Sequence, residues 1–484
     1  MATRRKTSAG AARAREREQA LAAAAGVALP KCVDVAVIGG GASGLACAIA
    51  AADAGASVVV LERDLACGRT ILATGNGRCN FANAELDPAR YRNPELVSAV
   101  MGDPAAALEG ILGFFAGCGL VWAEEEGRLY PRSRQAASVR NVLLARAARA
   151  GVTFAPAREV TSLRRHGAPW CVRFDQAWDG RASSLDAGAV VVASGGGSAL
   201  VRGLGVSVAD ESPVLCALAA VGPAPSLLDA LDGRRARCVA TLTRGGRVAF
   251  REAGEVLFRP YGLSGIVSFD LSRRARSGDM VELDLAPDVD AWEVDTLVAS
   301  HPGEATALDG ILDPVIAAQL IALAGGPGED GLAWRVAPLV KGLPFHVTGL
   351  ADEAHAQVTR GGIDVSALFA DTLAIAGAPG LFACGEAIDV DADCGGFNLA
   401  WAWSSGLRVG VAAAEAGIAA RPVKPAGSAK PARSAKPAGS AKPAKSGAAG
   451  KPDAVSAGRL DTALAPRSHV LRSSGSNTKG SSAC

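Results

Sequence analysis

Short apolar runs, separated by glycines and small residues, form the main pattern in the first part of the chain. Residues 33–38 are such a run, and they end at the three glycines 39–41. Residues 45–54 have the composition of a buried helix, and residues 57–61 form a second short apolar run. This order predicts a strand, a helix and a second strand that lies parallel to the first.

Two further apolar runs, at residues 189–193 and 381–384, also stop near glycines, at Gly195 and Gly385. Runs of this length that end in this way are typical of buried parallel strands. We therefore expect one parallel sheet assembled from both halves of the chain, and the predicted fold class is α/β and Rossmann-type.

The region between these strands has a different pattern. Apolar and polar residues alternate at 238–242 and at 280–285, as expected for strands with one buried face. Residues 291–323 have helical character. We predict an inserted, mainly β and partly helical domain at this place, which makes the Rossmann-type domain discontinuous.

The two ends of the chain differ from the body in composition. The first thirty residues are polar and rich in alanine, while the sequence from Lys424 repeats roughly as AKPAGS. So much proline and so few large apolar side chains predict disorder. The predicted order is a disordered or helical extension at 1–30, the first part of the Rossmann-type domain at 31–211, the inserted, mainly β and partly helical domain at 212–345, the second part at 346–420 and a disordered Lys/Pro/Ala/Ser-rich tail at 421–484.

The charge distribution bears on possible partners. The formal net charge of +2 hides an acidic body, because residues 31–420 carry 32 basic and 44 acidic side chains, a net of −12. A nucleic-acid groove needs a basic face, so we do not expect the body to bind nucleic acid. The partner of the basic tail stays open, and the expected partner of the body is a small-molecule substrate.

The cysteines and the longest apolar stretch bear on location and metal content. The eleven cysteines include no CxxC pair, which argues against a zinc ribbon or a local redox disulfide, and we predict no metal site. Their odd number and the lack of a convincing secretory signal predict a cytoplasmic location. Asp53 interrupts the longest apolar stretch, so no membrane-spanning helix is expected.

The glycine-rich turn after the first predicted strand carries the clearest chemical signal. Residues 39–44, GGGASG, fit GxGxxG directly after a buried strand and before a helix. Gly39 permits the tight turn, Gly41 lets a pyrophosphate approach the backbone, and Gly44 lets the helix pack close to the strand. Glu62 ends the next strand, where a carboxylate accepts hydrogen bonds from an adenosine ribose. Together they predict a dinucleotide site, without distinguishing FAD from NAD.

Two further segments suit the rest of a long cofactor. Residues 68–83, GRTILATGNGRCNFAN, are rich in glycine, side-chain amides and arginine, and can donate many hydrogen bonds to a polar ligand. Residues 395–406 begin a helix of small residues at 400–414, whose free N–H groups favour negative charge at the N1–C2=O edge of a flavin.

These stretches resemble the flavoprotein family of aminoacetone-oxidase-like, or YhiN-like, NAD(P)/FAD-dependent oxidoreductases. The resemblance implies an FAD-binding enzyme with a β-barrel-like insertion. The chain departs from the family pattern at Thr70, Cys394 and Ala400, and it is shorter between Ser198 and Leu204. The motifs that carry the resemblance are VIGGGASGLACAIAAADAGASVVVLER at 37–63, GRTILATGNGRCNFAN at 68–83, GRLYPRSRQAASV at 127–139, VVVASGGGS at 190–198, GEVLFRPYGLSG at 254–265, VTRGGIDV at 358–365 and LFACGEAIDVDADCGGFNLAWAWSSG at 381–406.

The glycine-rich motif and the resemblance together assign the residues that contact FAD. The resemblance places the main chain of Val160 at the adenine, and Asp389 near the isoalloxazine. No catalytic residue is assigned. The predicted cofactor-binding set is Gly39, Gly41, Ala42, Ser43, Gly44, Glu62, Arg63, Arg69, Thr74, Gly75, Asn76, Gly77, Arg78, Cys79, Asn80, Val160, Ser194, Gly195, Gly385, Glu386, Asp389, Gly396, Asn398, Leu399 and Ala400.

The expected reaction is oxidation or reduction of a small organic molecule. Members of this family are linked to reduction of unsaturated 3-oxo bile acids, so the resemblance implies reduction of an activated, enone-type C=C bond, with amine oxidation as the alternative. No second GxGxxG follows a strand, so either NAD(P)H binds transiently at the flavin or another reductant serves. Two rivals stay open, namely a flavoprotein of nucleic-acid modification and a flavin-binding protein without its own turnover.

A few other side chains are chemical candidates. Cys79 has two interpretations. In the first, the neighbouring Arg78 lowers the pKa of the Cys79 thiol. In the second, which we favour, Cys79 is a small thiol packed beside the cofactor. His346 and His355 are interpreted as structural. Trp401 and Trp403 are two positions apart on a predicted helix, so at most one of them lines the site.

Overall fold

The computed structural model describes residues 2–165, 169–196 and 198–421, and the predicted tail from residue 422 lies outside them. Its α-helices are α1 Ala2–Ala25, α2 Ala42–Asp53, α3 Arg69–Ala73, α4 Pro94–Met101, α5 Pro104–Cys118, α6 Ala136–Arg149, α7 Ala199–Arg202, α8 Leu227–Ala230, α9 Ile266–Ser272, α10 Ala291–Ser300, α11 Pro314–Leu323, α12 Leu332–Lys341 and α13 Phe397–Ala419. Its strands are β1 Cys32–Ile38, β2 Val58–Leu61, β3 Ala82–Asn83, β4 Trp122–Glu125, β5 Arg128–Pro131, β6 Thr153–Ala155, β7 Arg158–Arg165, β8 Trp170–Gln176, β9 Ala182–Val192, β10 Val208–Val214, β11 Ala217–Val221, β12 Arg235–Arg244, β13 Arg247–Arg259, β14 Gly262–Ser264, β15 Met280–Asp284, β16 Leu343–Ala351, β17 Val358–Ile363 and β18 Leu381–Ala383.

A seven-stranded sheet forms the Rossmann-type part, in the order β6-β2-β1-β9-β8-β7, with β18 paired to β9. The central strand β1 pairs in parallel with β2 and with β9, so that Val37 lies opposite both Val60 and Val191. Strand β18, from the far end of the sequence, also pairs in parallel with β9. The predicted assembly of one sheet from both halves of the chain is therefore confirmed, while β7 and β8 add an antiparallel extension.

Helix α13 packs so closely on α2 that two of its glycines lie directly against the main chain of α2. A Cβ added at Gly406 would lie 2.5 Å from the carbonyl oxygen of Ser43, and one at Gly410 would lie 2.5 Å from that of Cys47. Near the end of α13, Arg421 donates from Nε and Nη2 to the two carboxylate oxygens of Asp34, at 2.6 Å each. Small residues thus bring the last helix of the body against the first βα unit of the sheet.

The inserted part contains a closed antiparallel barrel with the order β11-β14-β13-β12-β15-β16. Its apolar core includes Phe258 and Phe345, both fully buried. The insertion expected from the alternating sequence pattern is confirmed in its mainly β and partly helical character. The predicted helical stretch forms two helices, α10 and α11, because Asp313 caps α11 by accepting hydrogen bonds from the N–H groups of Val315 and Ile316.

The chain enters and leaves the barrel along two paired strands. β10 and β17 form a two-stranded antiparallel sheet in which Val214 lies opposite Val358. The barrel strands begin at Ala217 and end at Ala351. The domain boundaries proposed from the sequence stay predictions.

The first helix is attached to the body at its C-terminal end. Ala24 is buried, and Arg158 donates from Nη2 to the carbonyl oxygens of Ala24 at 3.2 Å and Val27 at 2.9 Å. Among the described residues, no single helix has the length and apolar content to cross a membrane, although α4 and α5, which meet at a bend of 60°, pass that test as a pair.

Candidate cofactor site

The glycine-rich turn between β1 and α2 has the geometry that its sequence predicts. Gly39 has a φ of 103°, and a Cβ there would lie 2.4 Å from the carbonyl oxygen of Ala193. A Cβ on Gly44 would lie 2.0 Å from the carbonyl oxygen of Gly39. The first of these positions needs glycine for its backbone conformation, and the second needs it for close packing of the helix.

The surface of the turn above Gly41 is open. A Cβ at Gly41 would meet only Thr70 Oγ1, at 3.5 Å, and Gly41 directly precedes α2, whose start has no side-chain cap. Beside it, Glu62 Oε2 accepts a hydrogen bond from the Gly40 N–H at 2.7 Å. The turn therefore presents main-chain donors of a helix start next to a carboxylate, as a dinucleotide requires.

The loop 74–80 is strained. Asn76 and Cys79 have φ values of 53° and 56°, and the glycines on either side of Asn76 are also in the left-handed region. Non-glycine residues rarely adopt this conformation, and such strain is typical of ligand sites. Cys79 is fully buried, and this burial raises the pKa of its thiol to about 11, although a hydrogen bond with Thr74 opposes the rise.

Arg78 is engaged away from the Cys79 thiol. Its Nη2 lies 2.7 Å from Glu125 Oε2, and its guanidinium carbon lies 4.6 Å from the centre of the Tyr130 ring. Arg134 shares both partners, with Nη2 2.6 Å from Glu125 Oε1. The hypothesis that Arg78 lowers the pKa of Cys79 is therefore wrong, because desolvation decides the pKa, and the packed-thiol interpretation agrees with the structure.

Two hydrogen bonds and one close approach join the loop to the segment after β18. Asn83 Nδ2 donates to the carbonyl oxygen of Gly395 at 2.9 Å, and a Cβ at Gly396 would lie 2.9 Å from Asn80 Oδ1. Trp403 Nε1 donates to the carbonyl oxygen of Phe81 at 2.8 Å. The start of α13 and the loop thus form one surface, as the sequence predicts.

The end of β18 meets the glycine-rich turn. A Cβ at Gly385 would lie 2.4 Å from Ser43 Oγ, and Trp401 Nε1 donates to the carbonyl oxygen of Gly385 at 3.0 Å. Both Trp401 and Trp403 are fully buried, so neither lines an open surface. All three predicted segments, the turn, the loop and the start of α13, are therefore neighbours in space.

The remaining uncharged residues of the predicted cofactor-binding set lie in different places. Ser194 and Gly195 follow β9 beside the turn, whereas Val160 is a half-buried residue of β7. The side chain of Asn398 binds the main chain of Ala392, since its Oδ1 accepts from the N–H at 2.8 Å and its Nδ2 donates to the carbonyl oxygen at 2.9 Å. Ala400 is fully buried. The roles of these residues toward a cofactor stay predictions.

The charged members of the set differ in exposure. Arg63 and Arg69 are exposed, and Arg69 lies 3.3 Å from Asp64. Glu386 is partly buried and accepts a hydrogen bond from Thr359 N at 2.8 Å, and burial raises the pKa of its carboxyl. Asp389 accepts from Arg92 Nε at 2.9 and 3.0 Å, so its charge is already compensated.

A buried cluster of aspartates and arginines lies next to this surface. Asp391 and Asp393 have side chains that are 0% and 1% exposed, and Arg273 of the inserted part, 4% exposed, pairs with both. Arg360 donates to the two oxygens of Asp391 at 2.9 Å each, and Arg274 donates to Asp393 at 2.7 Å. We name these five residues the Asp–Arg cluster.

The Asp–Arg cluster holds its carboxylates in the charged form. Burial alone would raise the pKa of Asp391, but the hydrogen bond from Arg360 and the charges of Arg273 and Arg360 outweigh it and keep the pKa below its ordinary value. The cluster therefore fastens the loop between β18 and α13 to the inserted part by charge.

The comparisons with known proteins agree with this arrangement. Residues 33–412 match the family described as HI0933-like protein Rossmann domain. The chain belongs to this HI0933-like family. It is 32% identical over 415 residues to the 3-dehydro-bile acid delta(4,6)-reductase of Clostridium scindens, which covers 79% of this chain and 99% of that protein.

Two more distant likenesses complete the comparison. The Ribosomal RNA dihydrouridine synthase of Escherichia coli is 27% identical over 409 residues, which cover 77% of this chain and 96% of that protein. The alignment with the structure of a flavocytochrome c3 fumarate reductase covers 84% of this chain and 81% of the reductase chain, with 14% identity. Its TM-score of 0.44 is too low to support an inference. The family membership makes this HI0933-like protein an FAD-dependent oxidoreductase.

The residues present fit FAD. Asn80 Oδ1, in the strained loop, and Ser194 Oγ, beside the glycine-rich turn, are buried and have no hydrogen-bond partner within the described ranges. Buried polar atoms of this kind are nearly always satisfied, so a polar ligand is the expected partner of both. Together with the open surface at Gly41, these two unpartnered atoms suit a long polar cofactor.

Sequence reasoning missed the Asp–Arg cluster and its neighbour Asp270. Asp389, Asp391 and Asp393 alternate along the sequence between two apolar segments, and Asp270 lies within the apolar run of α9. Acidic residues in such places indicate buried carboxylates that need partners. This signal was available, but the arginines that satisfy it lie far away in the sequence.

Asp270 is a buried acid with a raised pKa. It is 4% exposed, and its Oδ1 accepts a hydrogen bond from Cys394 N at 2.6 Å. Burial and the charges of Asp393 and Glu252 raise the pKa of Asp270 to about 7, although the hydrogen bond from Cys394 opposes the rise. Because the folded-state pKa exceeds the unfolded value, the stability contribution of Asp270 is complete at acid pH and is lost as pH rises through about 7.

Asp270→Asn is expected to remove this loss, since asparagine keeps an oxygen that accepts from Cys394 N. Relative to the wild type, the variant should gain up to about 3 kcal/mol of unfolding free energy between pH 5 and pH 8. Urea unfolding across this range measures the difference. Asp229→Asn, at an exposed position, is the control, and wild-type and Asp270→Asn curves that stay parallel with pH would contradict the prediction.

Proposed function

We propose that this HI0933-like protein reduces a C=C bond conjugated to a carbonyl group in a small organic molecule, with NAD(P)H as the electron donor. The observation that carries the proposal is the 32% identity to a protein named as a reductase of the delta(4,6) bonds of a 3-dehydro bile acid. Double bonds at these positions are conjugated with the 3-oxo group, so that name describes reduction of an extended enone.

The described residues supply binding and orientation for this reaction. FAD, when bound, supplies the hydride chemistry, and the protein positions the substrate against it. The glycine-rich turn would hold the pyrophosphate, while the loop 74–80 and the start of α13 would flank the flavin. Asp389, fixed by Arg92 and by the Gly361 N–H at 3.0 Å, would keep the adjoining loop in place.

The number of nucleotide motifs bears on where NAD(P)H would bind. The chain has one GxGxxG after a strand, at 39–44. A separate nicotinamide domain is therefore not indicated, and we propose that NAD(P)H and the organic substrate use the same open side of the cofactor in turn.

Anaerobic mixing of the purified yellow protein with NADH and with NADPH tests this proposal. We expect the visible flavin absorbance to bleach with at least one nicotinamide, because its hydride reduces the flavin. A 3-oxo-4-ene steroid should then restore the absorbance much faster than the matched saturated 3-oxo steroid, which lacks the conjugated bond. The proposal fails if neither nicotinamide bleaches the flavin, or if both steroids act at the same rate. Bleaching without reoxidation by any acceptor would favour a flavin-binding protein without its own turnover.

A second candidate is reduction of uridine in ribosomal RNA. The likeness to the Ribosomal RNA dihydrouridine synthase of Escherichia coli favours it, because dihydrouridine forms by reduction of a C=C bond conjugated to a carbonyl. The acidic body, with its net charge of −12, favours the small-molecule substrate instead. Incubation of the reduced protein with unmodified ribosomal RNA, followed by mass analysis of the nucleosides, decides between them.

We also propose a cytoplasmic location. The ten cysteines within the described residues are all free, and a reducing compartment accounts for this most simply.

A further inference from the structure

A basic cleft of about 550 Å³ lies between the barrel and the paired strands β10 and β17. Five arginines line it, and no aspartate or glutamate does, although the body as a whole has a net charge of −12. Such a local excess of positive charge favours an anionic ligand. The five residues, which we name the arginine cleft, are Arg244, Arg273, Arg274, Arg276 and Arg360.

The ion pairs of the cleft leave hydrogen-bond donors for a ligand. Arg244 is held by Asp279 at 2.9 and 2.7 Å, and Arg274 and Arg360 are held by the aspartates of the Asp–Arg cluster. These carboxylates are buried behind the lining, and each guanidinium has five N–H donors, not all of which they use. Arg276 is exposed and has no ion-pair partner in the part of the chain that the structure describes.

The rest of the lining is mostly apolar, with Ser212 and Ser272 as its other polar members. Its apolar members are Pro213, Val214, Ala249, Ala275 and Leu350. A cleft of this volume suits a drug-sized molecule, and the mixture of arginines and apolar side chains suits an anionic group on an apolar body. A nucleic acid, in contrast, needs a long basic track rather than a single cleft of this size.

The cleft is connected to the cofactor site through one loop. Arg273 and Arg360 line the cleft and both bond to Asp391, which lies between β18 and α13. The same loop carries Asp389, which is predicted to lie near the isoalloxazine. A ligand in the arginine cleft would therefore contact residues that position this loop.

We propose that the arginine cleft binds the carboxylate end of an apolar organic substrate. This inference rests on the proposed function, since it names the substrate class of the same reaction. It assigns recognition of the negative charge to the inserted part, while the reducible end of the substrate is bound by the Rossmann-type part. Arg276 is a specificity residue in this assignment, because its guanidinium forms no ion pair within the described residues, although the charge of Asp279, which accepts from the Arg276 N–H at 2.8 Å, is nearby.

Arg276→Gln tests the proposal with two matched substrates, a 3-oxo-4-ene steroid with a side-chain carboxylate and its methyl ester. We expect KM for the carboxylate to rise about 10-fold, because a charge-assisted hydrogen bond is lost, while kcat and the KM for the ester stay unchanged. Arg251→Gln, at an exposed position of β13 outside the cleft, should change neither KM. Equal shifts for both substrates, or no shift for the carboxylate, would overturn the proposal.

Binding to the oxidised holoenzyme separates this proposal from the proposed function. Calorimetry should show tighter binding of the carboxylate than of the ester, and Arg276→Gln should abolish the preference. That result supports the arginine cleft even if neither steroid is reduced. If the carboxylate shows no preference and an unmodified ribosomal RNA fragment binds in an Arg276-dependent way, the small-anion proposal is wrong.

Discussion

Arg273→Met is expected to lower the free energy of unfolding by about 3–5 kcal/mol. The arginine side chain is 4% exposed, and it pairs with two carboxylates, of Asp391 and Asp393, that are exposed by no more than 1%. Methionine fills a similar volume without charge, so its main effect is to leave buried negative charge undercompensated. Arg360 still donates to both oxygens of Asp391 in the variant and favours the charged form of this carboxylate.

Chemical denaturation at neutral pH measures this loss, and Arg259→Met provides the matched control. Arg259 pairs with Asp232 at 3.1 Å on the surface, where the two side chains are 41% and 45% exposed. Water screens such a pair, so the control should lose at most about 1 kcal/mol. If Arg273→Met is no more destabilising than Arg259→Met, the Asp–Arg cluster does not fasten the loop after β18 to the inserted part.

The parts of the fold that could be predicted from the sequence are those defined by residues close together in the chain. β1, α2 and β2 follow one another within thirty residues, and apolar runs with glycine at their ends define them. Closure of the barrel was not predictable in the same way. It requires β16 to pair with β11, from which four strands separate it in the sequence, and with β15, from which three helices separate it.

In the candidate site, too, features set by neighbouring residues could be predicted and features set by distant residues could not. The roles of Gly39 and Gly44 in the turn follow from local conformation, which a motif encodes. Arg78 could not be placed from its own neighbourhood, because Glu125 and Tyr130, on the β4–β5 hairpin, determine where its guanidinium lies. Arg273 was missed because nothing in the sequence of α9 shows that the loop after β18 lies against it.

Gly44→Ala is expected to weaken FAD binding about 100-fold or more. The added Cβ would lie 2.0 Å from the carbonyl oxygen of Gly39, and neither this backbone oxygen nor a Cβ, which has no rotatable bond of its own, can turn away. Gly39 itself is close to Ala193, where a Cβ would lie 2.4 Å from the carbonyl oxygen. Relief of the clash therefore has to displace the turn or the start of α2, and overpacking of this kind costs about 3 kcal/mol.

The visible absorbance of the purified protein and a titration of the apoprotein with FAD measure this effect. Gly113→Ala is the control, because a Cβ at this position of α5 has no neighbour within 4 Å and alanine favours a helix by about 1 kcal/mol. It should purify yellow and slightly more stable than the wild type. Circular dichroism shows whether Gly44→Ala retains its fold. A folded Gly44→Ala protein with the FAD content of the wild type would mean that the turn does not bind the pyrophosphate.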